Sequence, residues 1–331
     1  MAEEGIDFVI AWVDGSDARW LAQAQRFIPR SGDENTSPIR YRDWGTLRYW
    51  FRGVERFAPW VRRIHFITWG HLPSWLNVSA PKLNIVKHAD YIPERYLPTF
   101  SSRTIELNIH RIEGLSERFV YFNDDMFLLD KVKEERFFKG GLPRDMARLS
   151  LLSISSISHA ILNMVEIINR RYTLHEVLKS HPCKWFSPRY GLVNLLKTLD
   201  LAVWGTIPAL SDTHMPQPYL KSTFQSMWQQ ETAALDATCL SKVRDDKGMN
   251  QWIMRYEQLL SGRFSPVGFK DCRLDALHDS RLEDIVRYIE QQKYTMICLN
   301  DSEKIASFEN SRQKLRTAFD KILPQKSCYE L

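Results

Sequence analysis

The sequence predicts an α/β fold, a mainly parallel sheet with a helical C-terminal half packed on it. Three observations carry that expectation. Short apolar runs alternate with helical periodicities from residue 6 to residue 128, the pattern of βαβ units. Two of the runs end in acidic turns, DGSD at 14–17 and NDD at 123–125, and ligands of such sheets bind beyond the carboxyl ends of the strands. Beyond residue 145 the apolar spacing turns mostly helical, with loop signals at 181–182, 187–188, 215–218 and 261–262.

The elements follow in order. IDFVIAWV (6–13) is an apolar strand that stops at the DGSD turn. Residues 29–40 are rich in Pro, Ser, Gly, Asp and Asn and form a loop. Leu47, Trp50, Phe51, Val54 and Phe57 recur at three- and four-residue steps, predicting a helix over 43–57 that Pro59 ends. Strands follow at 63–68 and 83–87, then a helix over 101–112 capped by Ser101 or Ser102. FVYFNDDMFL (119–128) reads as the fourth strand. Residues 149–168 contain five serines and keep apolar positions at helical spacing, predicting an amphipathic buried helix. The whole chain, 1–331, is expected to form one compact unit. Its α/β half is 1–145 and its mainly helical half is 146–331.

Composition narrows the function. With 331 residues and 44% hydrophobic content the chain can fill a sizeable core, and seven of its 11 tryptophans lie in the first 75 residues. A net charge of +5 suits anionic substrates or an anionic membrane surface, but is too mild for a nucleic-acid module. Five widely spaced cysteines with no C-x-x-C fit a reducing, cytoplasmic setting, not a disulfide framework or zinc site. The sequence shows neither a signal peptide nor 18 charge-free apolar residues in a row.

The NDD turn is the most specific chemical signal. Adjacent carboxylates at the end of a buried strand are costly unless neutralised. A divalent cation holding a phosphate substrate neutralises them, since Mg²⁺ takes one or two carboxylates plus phosphate oxygens. A plain acidic turn is the alternative reading.

Several segments together resemble one family. DFVIAWVDGSD (7–17) is similar to the first conserved block of the Stealth family of sugar-phosphate transferases. RYRDWGTLRY (40–49), YLPTF (96–100), IELNIHRI (105–112) and GLSE (114–117), running on to NDDM (123–126), resemble its second block. HMPQPYLK (214–221), Arg244 and NQW (250–252) resemble the third, LND (299–301) the fourth, and PQKSCYE (324–330) the closing tail. Two departures stand out. The family often has Asn-Ser-Asn where this chain has Ser101-Ser102-Arg103, and a His-Arg pair where it has Ser241-Lys242.

The resemblance implies a nucleotide-sugar-transferase-like fold, Rossmann-like and of the glycosyltransferase A type. It implies dependence on Mg²⁺ or Mn²⁺ and a UDP-sugar donor. The sugar 1-phosphate passes to a hydroxyl of a lipid-linked or growing glycan and UMP leaves. It places the enzyme in the cytoplasm, with peripheral contact at the anionic inner face of the membrane. The expected metal ligands are Asp124, Asp125 and Asp301. The expected catalytic residues are His214 as general base, Arg244 on the transferred phosphate, Asp301 and Asp125. Donor contacts are assigned to Trp12, Asp14, Gly15, Asp17, Arg48, Arg103, Glu106 and Asn123, with Arg40 and Arg42 in the same basic cluster as Arg48. Each has a bland alternative: Asp14 and Asp17 as a capped turn, Asp301 as a solvated turn, Arg244 paired with Asp245 or Asp246, Glu106 as an exposed helix residue. A metal-dependent glycosyltransferase releasing UDP, and an inactive carbohydrate-binding protein, are the competing functions.

Overall fold

A computed structural model describes residues 5–27, 42–152, 155 and 157–331. The whole 29–40 loop, Arg40 included, lies outside the described residues. The strands are β1 (Ile6–Ala11), β2 (Ile64–Thr68), β3 (Leu83–Lys87), β4 (Arg118–Phe122), β5 (Met126–Leu128), β6 (Phe138–Lys139), β7 (Leu142–Asp145), β8 (Gln217–Leu220), β9 (Ser265–Pro266), β10 (Cys272–Ala276) and β11 (Met296–Asn300). The first helices are α1 (Ala18–Ala24), α2 (Leu47–Phe57), α3 (His88–Tyr91) and α4 (Ser102–Leu107). Then come α5 (Ser158–Arg171), α6 (Leu174–Ser180), α7 (Pro182–Trp185), α8 (Leu192–Ala202), α9 (Lys221–Gln230), α10 (Thr232–Leu240), α11 (Trp252–Leu260), α12 (Asp279–Glu290) and α13 (Phe308–Ile322).

The main sheet runs β3-β2-β1-β4-β8, parallel except for β8, which lies antiparallel to β4 at the edge. β1, β2 and β4 are buried on both faces, in keeping with their largely apolar sequences, and β3 at the edge is half-buried. Side chains alternate accordingly. Phe8, Ile10, Phe66, Val120 and Phe122 enter one core with α2, α12 and α13; Val9, Ile67, Phe119 and Tyr121 enter the other with α5, α9 and α11. The result is a mixed α/β, Rossmann-like architecture with helices on both sides of a parallel-rich sheet.

Four expectations change in detail. The helix expected over 43–57 starts at Leu47, because Gly45 takes φ +65° and its N–H bonds to Asp43 Oδ1 at 2.7 Å, making a turn. The helix over 101–112 stops at Leu107, where Asn108 turns its amide back onto Thr104 O (2.8 Å), and a 3₁₀ turn completes it. The helix over 149–168 begins only at Ser158, since Ser150 N bonds instead to Ala209 O at 3.0 Å. The strand at 119–128 is two strands in two sheets: β4 stays in the main sheet, while β5 leaves it to pair with β11. The second half is also less purely helical than its sequence suggests. It supplies β8 to the main sheet, tolerating Pro218 because this is an edge strand, and β10 and β11 to a second sheet.

Helix α2 joins the two sheets. Eight of its 11 residues are buried, and Gly53 lies where a Cβ would be 3.1 Å from Leu128 O, so glycine permits the close approach to β5. The C-terminal tail locks on the same helix: Arg52 forks onto Glu330 at 2.8 Å twice, and Tyr329 packs against Phe51.

Candidate active site

The NDD turn sits where the chain crosses from one sheet to the other. Met126 N bonds to Asn123 O (3.2 Å) to close it, and Leu299 N bonds to Asp125 O (2.9 Å). That second bond brings the end of β11, with Asn300 and Asp301, to the same place. The antiparallel pairing of β8 with β4 sets Gln217 opposite Tyr121, so His214, just ahead of β8, arrives there too. Three segments far apart in sequence therefore meet at the carboxyl end of β4.

They line a cavity of about 1250 Å³ that includes Trp12, Arg103, Glu106, Asn123, Asp124, Asp125, His214, Arg244 and Asp301. Nine of the residues expected at the site are thus brought together. Asp14, Gly15, Asp17 and Arg48 do not line it. Asp14 instead accepts Ser16 N at 2.9 Å, and Asp17 caps α1 by accepting Arg19 N and Trp20 N at 2.9 and 2.8 Å. Arg48 lies 5.5 Å over the Trp75 ring. Asp301 lines the cavity, but Arg42 forks onto its carboxylate, one nitrogen at 2.8 Å and the other closer.

Charge in the cavity is segregated. Asp124 is open to the cavity yet surrounded by protein elsewhere. Desolvation, then the neighbouring Asp125 and Asp43, push its pKa up to about 7. Asp125 Oδ1 is buried and has no hydrogen-bond partner among the described residues. Asp125 Oδ2 lies 3.7 Å from His214 Nε2. Burial alone would depress the His214 pKa, but the Asp125 carboxylate overrides it and holds it above the ordinary value. His214 takes φ +44°, an unusual conformation for a non-glycine residue. One ligand atom each from Asp125, His214 and Cys298 lie within 4.8 Å of one another. Adjacent carboxylates, one strongly perturbed and one with an orphaned buried oxygen, fit a divalent cation. Their oxygen donors suit Mg²⁺ or Mn²⁺, and the imidazole and thiol beside them add softer donors.

Cations come from the other side of the sequence. Arg244 donates to Ser102 Oγ at 2.6 Å, and Arg103 bonds to Asp245 O. The Glu106 carboxyl is raised by burial, with Arg244 acting against that, and accepts from Tyr121 OH at 3.4 Å. Arg103 thus places a second guanidinium close enough to Arg244 for the two to repel.

Several lining residues were not anticipated. Asp212 is pushed up to about 7 by burial, with Arg255 pulling it down, and accepts from Tyr256 OH at 3.1 Å. Asp43, Arg148 and Tyr121 also line the cavity, and Cys298 closes on Asp125 and His214. The signals were faint: Asp212 lies two residues before His214, and Cys298 three before Asp301.

The chain is similar to known proteins along its whole length. Residues 4–32 match Stealth protein conserved region 1 and residues 40–144 match conserved region 2. A capsular polysaccharide phosphotransferase of Streptococcus pneumoniae is 39% identical, covering 99% of this chain and 98% of its own. An exopolysaccharide phosphotransferase of Lactiplantibacillus plantarum is 38% identical over 98% of this chain and 96% of its own. A receptor polysaccharide phosphotransferase of Streptococcus gordonii is 38% identical over 99% of both. With full-length relatives at this identity, the chain belongs to the Stealth family and is a phosphotransferase.

Proposed function

We propose that this enzyme transfers a hexose 1-phosphate or N-acetylhexosamine 1-phosphate from a UDP-sugar to a sugar hydroxyl of a growing, lipid-linked surface polysaccharide. A phosphodiester forms and UMP leaves. The observation that carries the reading is the meeting of Asp124, Asp125, His214, Arg103 and Arg244 around one cavity large enough for a nucleotide-sugar and an acceptor. Phosphoryl transfer needs positioning and charge neutralisation more than covalent chemistry.

Asp124 and Asp125 would hold Mg²⁺ or Mn²⁺, which neutralises the diphosphate and polarises the transferred phosphorus. Arg244 and Arg103 bind the equatorial oxygens of that phosphate, a geometry suited to guanidinium forks. His214 Nε2 takes the acceptor proton, and Asp125 beside it stabilises the imidazolium that results. Glu106 hydrogen-bonds a donor hydroxyl, and Trp12, stacked on Phe66 at 5.8 Å, offers its ring to the base. Asn123 orients the turn, and Asp301, held by Arg42, shapes the acceptor side.

The test is the leaving group. Purified protein with Mg²⁺ or Mn²⁺, UDP-hexoses and a glycan acceptor should release UMP and leave phosphorus in the product. Release of UDP would mean that the sugar moved alone, and the proposed reaction would be wrong.

A further inference from the structure

Helix α8 turns its apolar side outward. Leu192, Leu196, Leu199 and Val203 recur at four- and three-residue steps and so form one stripe. They are 71%, 55%, 51% and 75% exposed, and Val193 and Trp204 beside them are 66% and 71% exposed. The buried side of the helix is the other one, with Thr198 and Leu201, and Thr198 Oγ1 accepts from Leu149 N at 3.4 Å. An apolar patch of this density on a folded surface marks an interaction site.

Charge indicates what covers it. Residues 170–204 hold six lysines and arginines against two carboxylates, Glu176 and Asp200; Arg170 and Arg171 pair with Glu166, Glu231 and Glu257, which leaves Lys179, Lys184, Arg189 and Lys197 as the cations around the patch. Lys179, Arg189 and Lys197 are exposed. Leu174 N bonds to Gly205 O at 3.2 Å, which sets the start of α6 beside the end of α8. A Leu- and Trp-bearing helix face flanked by cations is the form that lies in the plane of an anionic bilayer surface. The patch also adjoins the cavity. Arg148, a lining residue, donates to Asn194 of α8 at 2.7 Å, and the lining residues Leu151 and Leu152 are 70% and 40% exposed.

We propose that α8 and Trp204 seat the protein on a bilayer carrying anionic lipid, with the cavity opening near the headgroups. That the acceptor is presented there rests on the function proposed above; the docking itself does not. Helix α8, about 16 Å long, lies along the surface with its stripe among the acyl-chain ends.

The experiment is flotation of the full chain with phosphatidylcholine vesicles, with and without phosphatidylglycerol, at low and high salt. The wild type is expected to float with the anionic vesicles and to be released by salt. Leu192→Ser/Leu196→Ser/Leu199→Ser should bind about tenfold more weakly or worse. Its melting temperature and its turnover of a water-soluble acceptor should not change, since all three side chains are exposed. Lys179→Glu/Lys197→Glu should weaken binding about fivefold per charge removed. No flotation of the wild type, or equal flotation of the triple variant, overturns the proposal. So does equal binding to neutral vesicles, or self-association in sedimentation velocity that the triple variant loses without any vesicle binding. Release of UDP would overturn the proposed reaction and leave this result standing.

Discussion

Arg255→Met should destabilise the protein far more than its loss of contacts suggests. Arg255 lies on α11 at 1% exposure and forks onto Asp145 at 2.7 and 3.1 Å, with Met146 O at 3.2 Å and Asp212 at 3.3 Å. Asp145, at the end of β7, is equally buried, and among the described residues its other donors are Gln217 Nε2 (3.0 Å) and Met146 N (2.7 Å). Methionine replaces much of the side-chain volume, so the cavity contribution is small. What remains is a buried carboxylate without its cation, which costs about 3–5 kcal/mol. Asp212 loses the same cation and shifts further toward its neutral form, loosening the cavity wall that precedes His214. The assay is chemical denaturation at pH 7 of Arg255→Met, Asp145→Leu and the double variant. Each single change should cost about 3–5 kcal/mol, and the double should cost less than the sum by about 2 kcal/mol or more, because neither charge is then stranded. A loss under about 1 kcal/mol for Arg255→Met, or additive costs, would refute this account of the wall.

Three further outcomes are expected. Mg²⁺ or Mn²⁺ should raise the melting temperature of the wild type, by about 2.7 kcal/mol of stabilisation at a hundredfold excess over Kd. Asp124→Asn and Asp125→Asn should lose that shift together with transfer; an unchanged shift would remove them as ligands. His214→Gln should lower transfer by about 10²–10⁴-fold with donor affinity retained in calorimetry, and near-normal turnover would exclude it as the base. Burial holds the His88 and His110 pKa values at about 3, with His71 adding to the effect at His88 and Arg111 and Lys221 at His110, whereas the unfolded chain protonates near 6.5. The unfolded state therefore gains protons first as pH falls, and stability should drop between pH 7 and 5 by about 2 kcal/mol per histidine. His110→Phe, which keeps the stack on Phe224 and Trp228, should remove about half of that slope in denaturation midpoints; an unaltered slope would count against it.

The parallel strands were legible because strands buried on both faces are largely apolar, as β1 and β2 are, and β1, β2 and the half-buried β3 appear in the sequence nearly at their observed ends. The NDD turn was legible because carboxylates after such a strand are costly in a structural role. What local pattern concealed was the break between β4 and β5: an unbroken apolar run looks the same whether its two ends pair in one sheet or in two. The strands β8, β10 and β11 were hidden for a related reason, since edge and second-sheet strands are short and set by partners far along the chain. Asp14 and Asp17, assigned to the donor, form a capped turn outside the cavity lining, and turn chemistry and donor-binding chemistry use the same side chains. The sequence by itself determined the fold class, the family and nine of the polar and aromatic residues that line the cavity. Only the tertiary structure decided that Arg42 occupies Asp301, that Cys298 and Asp212 join the site, and that α8 faces outward, because each depends on which distant segments are brought within a few ångströms.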